Sequence, residues 1–279
     1  MCNKIHKFGF EIEGEFTHSM IKNKLEIANF DEDEYEESRE SDYGGMHSDS
    51  SVSSCYNESR ATRAYKKWHE KHNNDMIEAE FASAPFPFTE SGIKKSLKVF
   101  DLFQEGWENG EYHNNPSCGF HIHVSFTPEE VPPEIVSEEF DKYFTERMAS
   151  TFTKEFKERK NNRYCMAGKL TEVEIANKQH DRYRAVNFNH LSDRRKTIEF
   201  RIFPSAEPKK MLEYLQFTLK VVSDFLTKHK LQRHIVFEIE EDTITSVDYK
   251  SIVDTEPLQE EFKDIIIPSR MDSNINMTT

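Results

Sequence analysis

With 279 residues, 36% of them hydrophobic and 22 of them Phe, the chain can bury a sizeable, aromatic-rich core in one large domain or two small ones. A formal net charge of −14 leaves it short of the basic surface that phosphate-backbone binding needs. Nucleic-acid binding is therefore excluded, and the balance suits a protein that handles metals or cationic groups. The four cysteines, Cys2, Cys55, Cys118 and Cys165, form no C-x-x-C pair, so free thiols in a reducing compartment are expected rather than a zinc site or disulfide framework.

No apolar run is long enough to span a membrane. The N-terminal M-C-N-K-I-H-K has no apolar stretch of the signal-peptide kind, so a cytoplasmic location is expected. The 9 glycines form neither G-x-x-x-x-G-K-[ST] nor G-x-G-x-x-G, which removes the two commonest nucleotide-binding motifs.

In chain order, Phe8–Phe16 (F-G-F-E-I-E-G-E-F) reads as a half-buried strand. Phe8, Phe10, Ile12 and Phe16 share one parity, and Glu11, Glu13 and Glu15 the other. Residues 17–45 follow, with the acidic block Asp31–Glu37 read as a solvated insert. Met46–Tyr56 is polar around Asp49, and Arg60–Lys71 is expected to be a short helix. Ile77–Ala84 reads as a second strand, with Glu78 and Glu80 opposite Ile77, Ala79 and Phe81, ended by Pro85 and Pro87. Glu90–Trp107 has helical spacing with Thr89 as its cap.

Ser117–Phe126 is a third strand, with Phe120, Ile122, Val124 and Phe126 on one face and His121, His123 and Ser125 on the other. Glu134–Lys160 is expected to be one long helical stretch, with Phe140, Phe144, Met148, Phe152 and Phe156 four residues apart. Arg163–Asp181 is irregular or short-helical. Arg182–His190 and Thr197–Phe203 read as a hairpin, the second strand setting Ile198, Phe200 and Ile202 against Glu199, Arg201 and Phe203. Pro208–His229 is an amphipathic helix. Leu258–Ile267 reads as a further packing element, and Asp272–Thr279 as a frayed end.

Four strands thus share a grammar: an apolar face, and a face carrying Glu11, Glu13 and Glu15; Glu78 and Glu80; His121 and His123; or Glu199 and Arg201. Taken singly, E-x-E is most often a solvated face, H-x-H is a zinc pair or plain surface, and E-x-R an ion pair. Together they offer carboxylate and imidazole ligands that suit Mg²⁺ or Mn²⁺, and bound cations would offset the Glu–Glu repulsion and hold nucleotide phosphates. Arg182 and Arg184 share a parity and either reach phosphate or balance the carboxylates. Asn187 is either a substrate contact or a hairpin stabiliser.

The segments F-G-F-E-I-E, H-S-D-S-S-V, E-A-E-F-A-S-A-P, C-G-F-H-I-H-V-S, R-Y-R-A-V-N-F-N-H-L and T-I-E-F-R-I-F occur in this order. Over roughly Lys7–Val222 they resemble the amidoligases, a family of the carboxylate–amine ligase superfamily that includes glutamine synthetase and glutamate–cysteine ligase. One departure is Asp49-Ser50-Ser51, where the family often has D-G-S. The resemblance implies an α+β fold: a glutamine-synthetase-like antiparallel sheet with a concave active-site face and helices packed on the other face. It also implies ATP and Mg²⁺ (or Mn²⁺) as cofactors and an amide bond made through an acyl phosphate.

By this resemblance Glu11, Glu13, Glu80, His121 and Glu199 are metal ligands. His123, Arg182, Arg184 and Arg201 lie near nucleotide, and Arg201, Glu80 and His123 are catalytic. Glu15 falls outside the matched motif and is expected at the rim. The expected organisation is a single catalytic domain over 1–279, with a core of about 4–230, an acidic insert at about 17–45 and an accessory segment 231–279. Its partners would be small-molecule or peptide carboxylate and amine substrates. A non-enzymatic interaction protein using the acidic surface, a same-fold phosphotransferase, and a metal-dependent hydrolase are the alternatives; the last is weakened by the lack of H-E-x-x-H.

Overall fold

The computed structural model describes residues 4–26, 42–48, 71, 76–115, 117–127, 132, 134–168, 182–192, 196–229, 238–239 and 247–248. The acidic block Asp31–Glu37, Asp49, the expected helix Arg60–Lys71 apart from its last residue, and the two expected C-terminal elements lie outside these residues.

The architecture is a mixed α/β one built on a predominantly antiparallel open sheet. Strands β1 (Lys4–Thr17), β2 (Gly44–Ser48), β3 (Met76–Ser83), β6 (Gly119–Thr127), β7 (Val186–Asn187) and β8 (Ile198–Pro204) lie in the order β2-β3-β1-β6-β8-β7. Two short strands, β4 (Phe86–Pro87) and β5 (Tyr112–His113), also pair with β1. A separate antiparallel pair joins β9 (Glu238–Ile239) to β10 (Val247–Asp248). Helices α1 (Glu90–Asn109), α2 (Glu138–Thr151), α3 (Thr153–Arg159) and α4 (Pro208–Lys228), a π-helical turn at Met20–Lys24 and a 3-10 turn at Asn189–Ser192 complete the described fold.

Strand β1 is the axis, and it is longer than its parity pattern suggests. Ile5 and Phe8 have opposite parity yet both face the core, because the register to β6 shifts between Ile5 and Lys7. One extra residue at this bulge flips the alternation and carries the strand back to Lys4. From Phe8 onward the alternation holds: Phe8, Phe10, Ile12 and Phe16 are buried among aromatic neighbours. Phe10 meets Phe100 of α1 at 4.8 Å between ring centroids, and Phe16 stacks on Tyr112 at 5.2 Å. On the β8 side Phe200 meets Phe144 of α2 at 4.6 Å. Each such ring buried from water contributes on the order of 1.5–3 kcal/mol.

Local signals explain where the helices begin and end. The Thr89 side chain accepts the Gly92 N–H, and Gly110, at φ 70°, closes α1 in the left-handed conformation. The Ser137 hydroxyl accepts the Phe140 N–H to start α2. The expected single helix Glu134–Lys160 is broken at Phe152, whose φ and ψ are −118° and 58°. Aromatics spaced by four drift about 40° per step on a helix that advances about 100° per residue, so a straight helix could not keep all five on one stripe. The break re-aims the chain, and Phe152 still packs on Tyr214 of α4 at 5.0 Å.

Phe203 departs from its parity for a related reason. The β6–β8 register shifts between Phe120 and Ile122, so Phe203 turns into the core and stacks on Tyr214 at 4.8 Å, rather than joining Glu199 and Arg201.

Gly14 sits where β1 changes partner. Pairing with β6 runs to Ile12, and pairing with β5 starts at Glu15. A Cβ at Gly14 would lie 2.5 Å from Tyr112 Cε2 and 2.9 Å from the His113 carbonyl oxygen. Gly14→Ala is therefore expected to destabilise the fold by about 1–3 kcal/mol through overpacking. Urea unfolding should show a lower midpoint with an unchanged slope.

Candidate active site

The face of the sheet away from the helices gathers the polar residues of four strands. Register does this directly: Glu11 pairs across with His121, Glu13 with Glu80, and His123 with Glu199. The side chains then converge. His121 Nδ1 lies 3.1 Å from Glu11 Oε2 and 3.6 Å from Glu199 Oε1, and its Nε2 is 3.6 Å from Glu13 Oε1. His123 Nε2 is 3.0 Å from Glu11 Oε1. Arg201 Nη1 forms an ion pair with Glu199 Oε1.

Two groups of donor atoms are close enough to hold a cation, each with its members within 4.8 Å of one another: Glu11, His123 and Glu199, and Glu11, Glu80 and His121. Glu11 belongs to both. Its Oε2 faces His121 and its Oε1 faces His123. Four of the five residues expected to ligate metal, Glu11, Glu80, His121 and Glu199, fall in these groups, and His123, expected near nucleotide, joins one of them. Glu13 is anchored differently, one oxygen accepting the backbone N–H of Gly119 and the other facing His121.

The electrostatics follow from burial and from this crowding. Burial pushes the Glu11 carboxyl up, but His123 and His121 outweigh it and hold the group well below the usual carboxylate range. Glu199 is held down at about 2: burial opposes, while His190, His121, His123 and Arg201 favour the anion. Burial depresses His123, yet Glu11 and Glu199 raise it above its ordinary value. Four carboxylates (Glu11, Glu13, Glu80 and Glu199) against one guanidinium make a buried anionic centre, the donor chemistry that hard divalent cations take.

Glu199 is the most firmly held carboxylate of the cluster. Asn187 Nδ2 donates to its Oε2 at 2.6 Å, and His190 Nε2 is 3.2 Å from the same oxygen, which leaves Oε1 toward His121 and Arg201. Asn187 therefore serves the site through Glu199, while its own Oδ1 accepts the Asn189 N–H at 3.0 Å. His190 carries no periodic signal in the sequence. It follows a strand of only two residues, on a 3-10 turn at Asn189–Ser192, and its imidazole is brought in by the hairpin's turn.

Glu15 is not a rim residue. It is fully buried at 0% exposure and accepts from Asn115 Nδ2 at 2.9 Å, because β5 and the Asn115 turn cover that end of β1. Arg182 and Arg184 are not drawn into the Glu–His contacts. The Arg182 guanidinium lies over the Tyr183 ring at 4.7 Å, and Arg184 donates to the Gly168 carbonyl at 3.3 Å. Cys118 and Cys165 are buried free thiols, which burial pushes up, leaving neither suited to metal binding.

Against known families, residues 4–176 match the model described as "Putative amidoligase enzyme". The chain belongs to this family. As an amidoligase it is a ligase by class, and the match covers β1, β3 and β6 with Glu11, Glu13, Glu80, His121 and His123. Glu199 and Arg201 lie beyond the matched span, and the sheet brings them to the same centre. No curated protein matches this amidoligase. No helix among its described residues is long and apolar enough to cross a membrane.

The shifts fix the sign of a pH effect. The depressed carboxyls Glu11 and Glu199 contribute stability that is present above their ordinary value of 4.5 and lost as pH falls through their folded values. Raised His123 contributes stability that is present below 6.5 and lost as pH rises through its folded value. The amidoligase should therefore gain most from this cluster between pH 4.5 and 6.5. Thermal melts across pH check this.

Proposed function

We propose that this protein is an ATP-dependent carboxylate–amine ligase using Mg²⁺ or Mn²⁺ on the Glu–His face of its sheet. The observation that carries the reading is the shared Glu11: one carboxylate bridges two donor groups, each containing an imidazole and a further carboxylate. Family membership supports the ligase class, and the open antiparallel sheet suits a glutamine-synthetase-like platform.

The donor set fits the cations. Oxygen ligands with one imidazole in each group suit Mg²⁺ and Mn²⁺, and a bridging carboxylate suits a pair of them. When bound, the cations would neutralise phosphate charge and so make the γ-phosphorus accessible to a carboxylate nucleophile.

The chain's own residues supply position and charge. Arg201, held by Glu199, presents a guanidinium beside the cluster, where it can stabilise the transferring phosphoryl group. Asn187 and His190 fix Oε2 of Glu199, and the Gly119 N–H fixes one oxygen of Glu13. Glu80 and His123 belong one to each donor group, and the proposal gives them the reacting end of the second substrate.

In the reaction, an oxygen of the carboxylate substrate attacks the γ-phosphorus and the bond to ADP breaks, giving an acyl phosphate. The amine nitrogen then attacks the acyl carbon, the bond to phosphate breaks, and the amine proton leaves as the amide forms. The cytoplasm, where ATP is abundant, is the compartment this chemistry fits.

The test is ADP release across a panel of carboxylates and amines, with mass spectrometry of the product. An amide with one ADP per bond is expected. A phosphorylated product unchanged by any amine would mark a phosphotransferase instead, and no turnover with any pair would favour an interaction protein. Glu11→Gln and Glu199→Gln should each weaken Mn²⁺-dependent ATP binding by on the order of 100-fold while the circular dichroism spectrum is retained. Unchanged nucleotide affinity in both variants would overturn the reading.

A further inference from the structure

Glu13 is the one expected ligand that falls in neither donor group. Both of its oxygens are engaged by the protein itself. Oε2 accepts the backbone N–H of Gly119, and Oε1 faces His121 Nε2 at 3.6 Å. The side chain is buried, so it depends on these partners to hold its charge. A ligating carboxylate needs an oxygen turned toward the other donors. Glu13 turns one oxygen to the backbone and the other to the far end of an imidazole.

That imidazole has two unlike ends. His121 Nδ1 lies 3.1 Å from Glu11 Oε2 and 3.6 Å from Glu199 Oε1, and both residues are members of the donor groups. Nε2 points instead to Glu13. Gly119 closes that side. It stands two residues before His121 on β6 and so lies under the same face of the sheet. A Cβ at Gly119 would lie 2.7 Å from His121 Nε2 and 3.3 Å from Glu13 Oε2. Only a residue without a side chain lets the ring and the carboxylate meet over this backbone.

We infer that Glu13 is a positioning residue rather than a cation ligand: anchored by Gly119, it holds His121 with Nδ1 presented to the cation and the ring proton on Nε2. This rests on the cation reading above. A neutral imidazole that ligates through one nitrogen keeps a proton on the other, and a buried N–H needs an acceptor. A carboxylate behind a ligating histidine fixes both its tautomer and its orientation. Glu13 Oε1 is placed for that task, a few tenths of an ångström beyond hydrogen-bond range. Held there, Glu13 adds negative charge to the centre without taking a coordination position from substrate.

Mn²⁺ titration of the full-length protein, followed by pulsed electron paramagnetic resonance with isotopically labelled histidine nitrogen, separates the two roles. The unmodified protein should show coupling to both His121 and His123. Glu13→Ala should weaken Mn²⁺ about tenfold and remove the His121 coupling, while His123 coupling and the circular dichroism spectrum are retained. Because Glu13 acts through His121, the double variant Glu13→Ala with His121→Ala should bind Mn²⁺ within about twofold of His121→Ala alone. Gly119→Ala leaves both side chains in place and should also remove the His121 coupling, which keeps the test available if Glu13→Ala does not fold. Retention of His121 coupling in either variant, or a further tenfold loss in the double variant, overturns the positioning role and leaves the cation reading standing. Unchanged Mn²⁺ affinity in Glu13→Ala does the same. No Mn²⁺ binding by the unmodified protein overturns both.

Discussion

The structure depends on a repulsion. Strand β1 sets Glu11, Glu13 and Glu15 along one face, and antiparallel register places Glu80 opposite Glu13 and Glu78 opposite Glu15. Like charges directly opposite in a sheet are destabilising, and these lie in partly or fully buried surroundings, where screening by water is weak. The chain tolerates them by surrounding them with compensating groups: His121 and His123 from β6, Arg201 from β8, the Gly119 N–H and Asn115. A centre this anionic favours added positive charge.

The other face makes the arrangement affordable. Phe10, Phe16, Phe81, Phe100, Phe103, Phe120, Phe144 and Phe200 are fully buried, and their packing holds the strands in the one register that aligns the Glu and His residues. A slip by one residue would exchange the two faces, moving phenyl rings to solvent and carboxylates into the core. The aromatic core therefore enforces the geometry of the site without contributing an atom to it.

Much of this was legible in the sequence, because strand parity is a two-state signal. Alternation separates Glu11 from Phe10 and His121 from Ile122 with no knowledge of tertiary structure. Parity fails where one residue is added or the chain turns. The bulges near His6 and Arg201 flipped the sides of Ile5 and Phe203, and the Phe152 break is invisible to a four-residue repeat. The burial of Glu15 is not legible because it comes from β5, a strand of two residues that leaves no periodic trace. The place of His190 is not legible because it depends on a turn.

The order of the strands has a consequence for how the molecule comes into being. Because β1 is flanked by β3 and β6, and β6 by β8, Glu11 meets partners at 80, 121 and 199, so no short stretch of chain contains a working centre. Contacts between residues so far apart form after loop closure has been paid, which makes the centre a late event in folding. A cation that binds the assembled centre and not the open chain then acts as a latch on the completed sheet, drawing the population toward the native state by mass action. On the reading proposed above, cation binding at this centre would report that the whole sheet has closed.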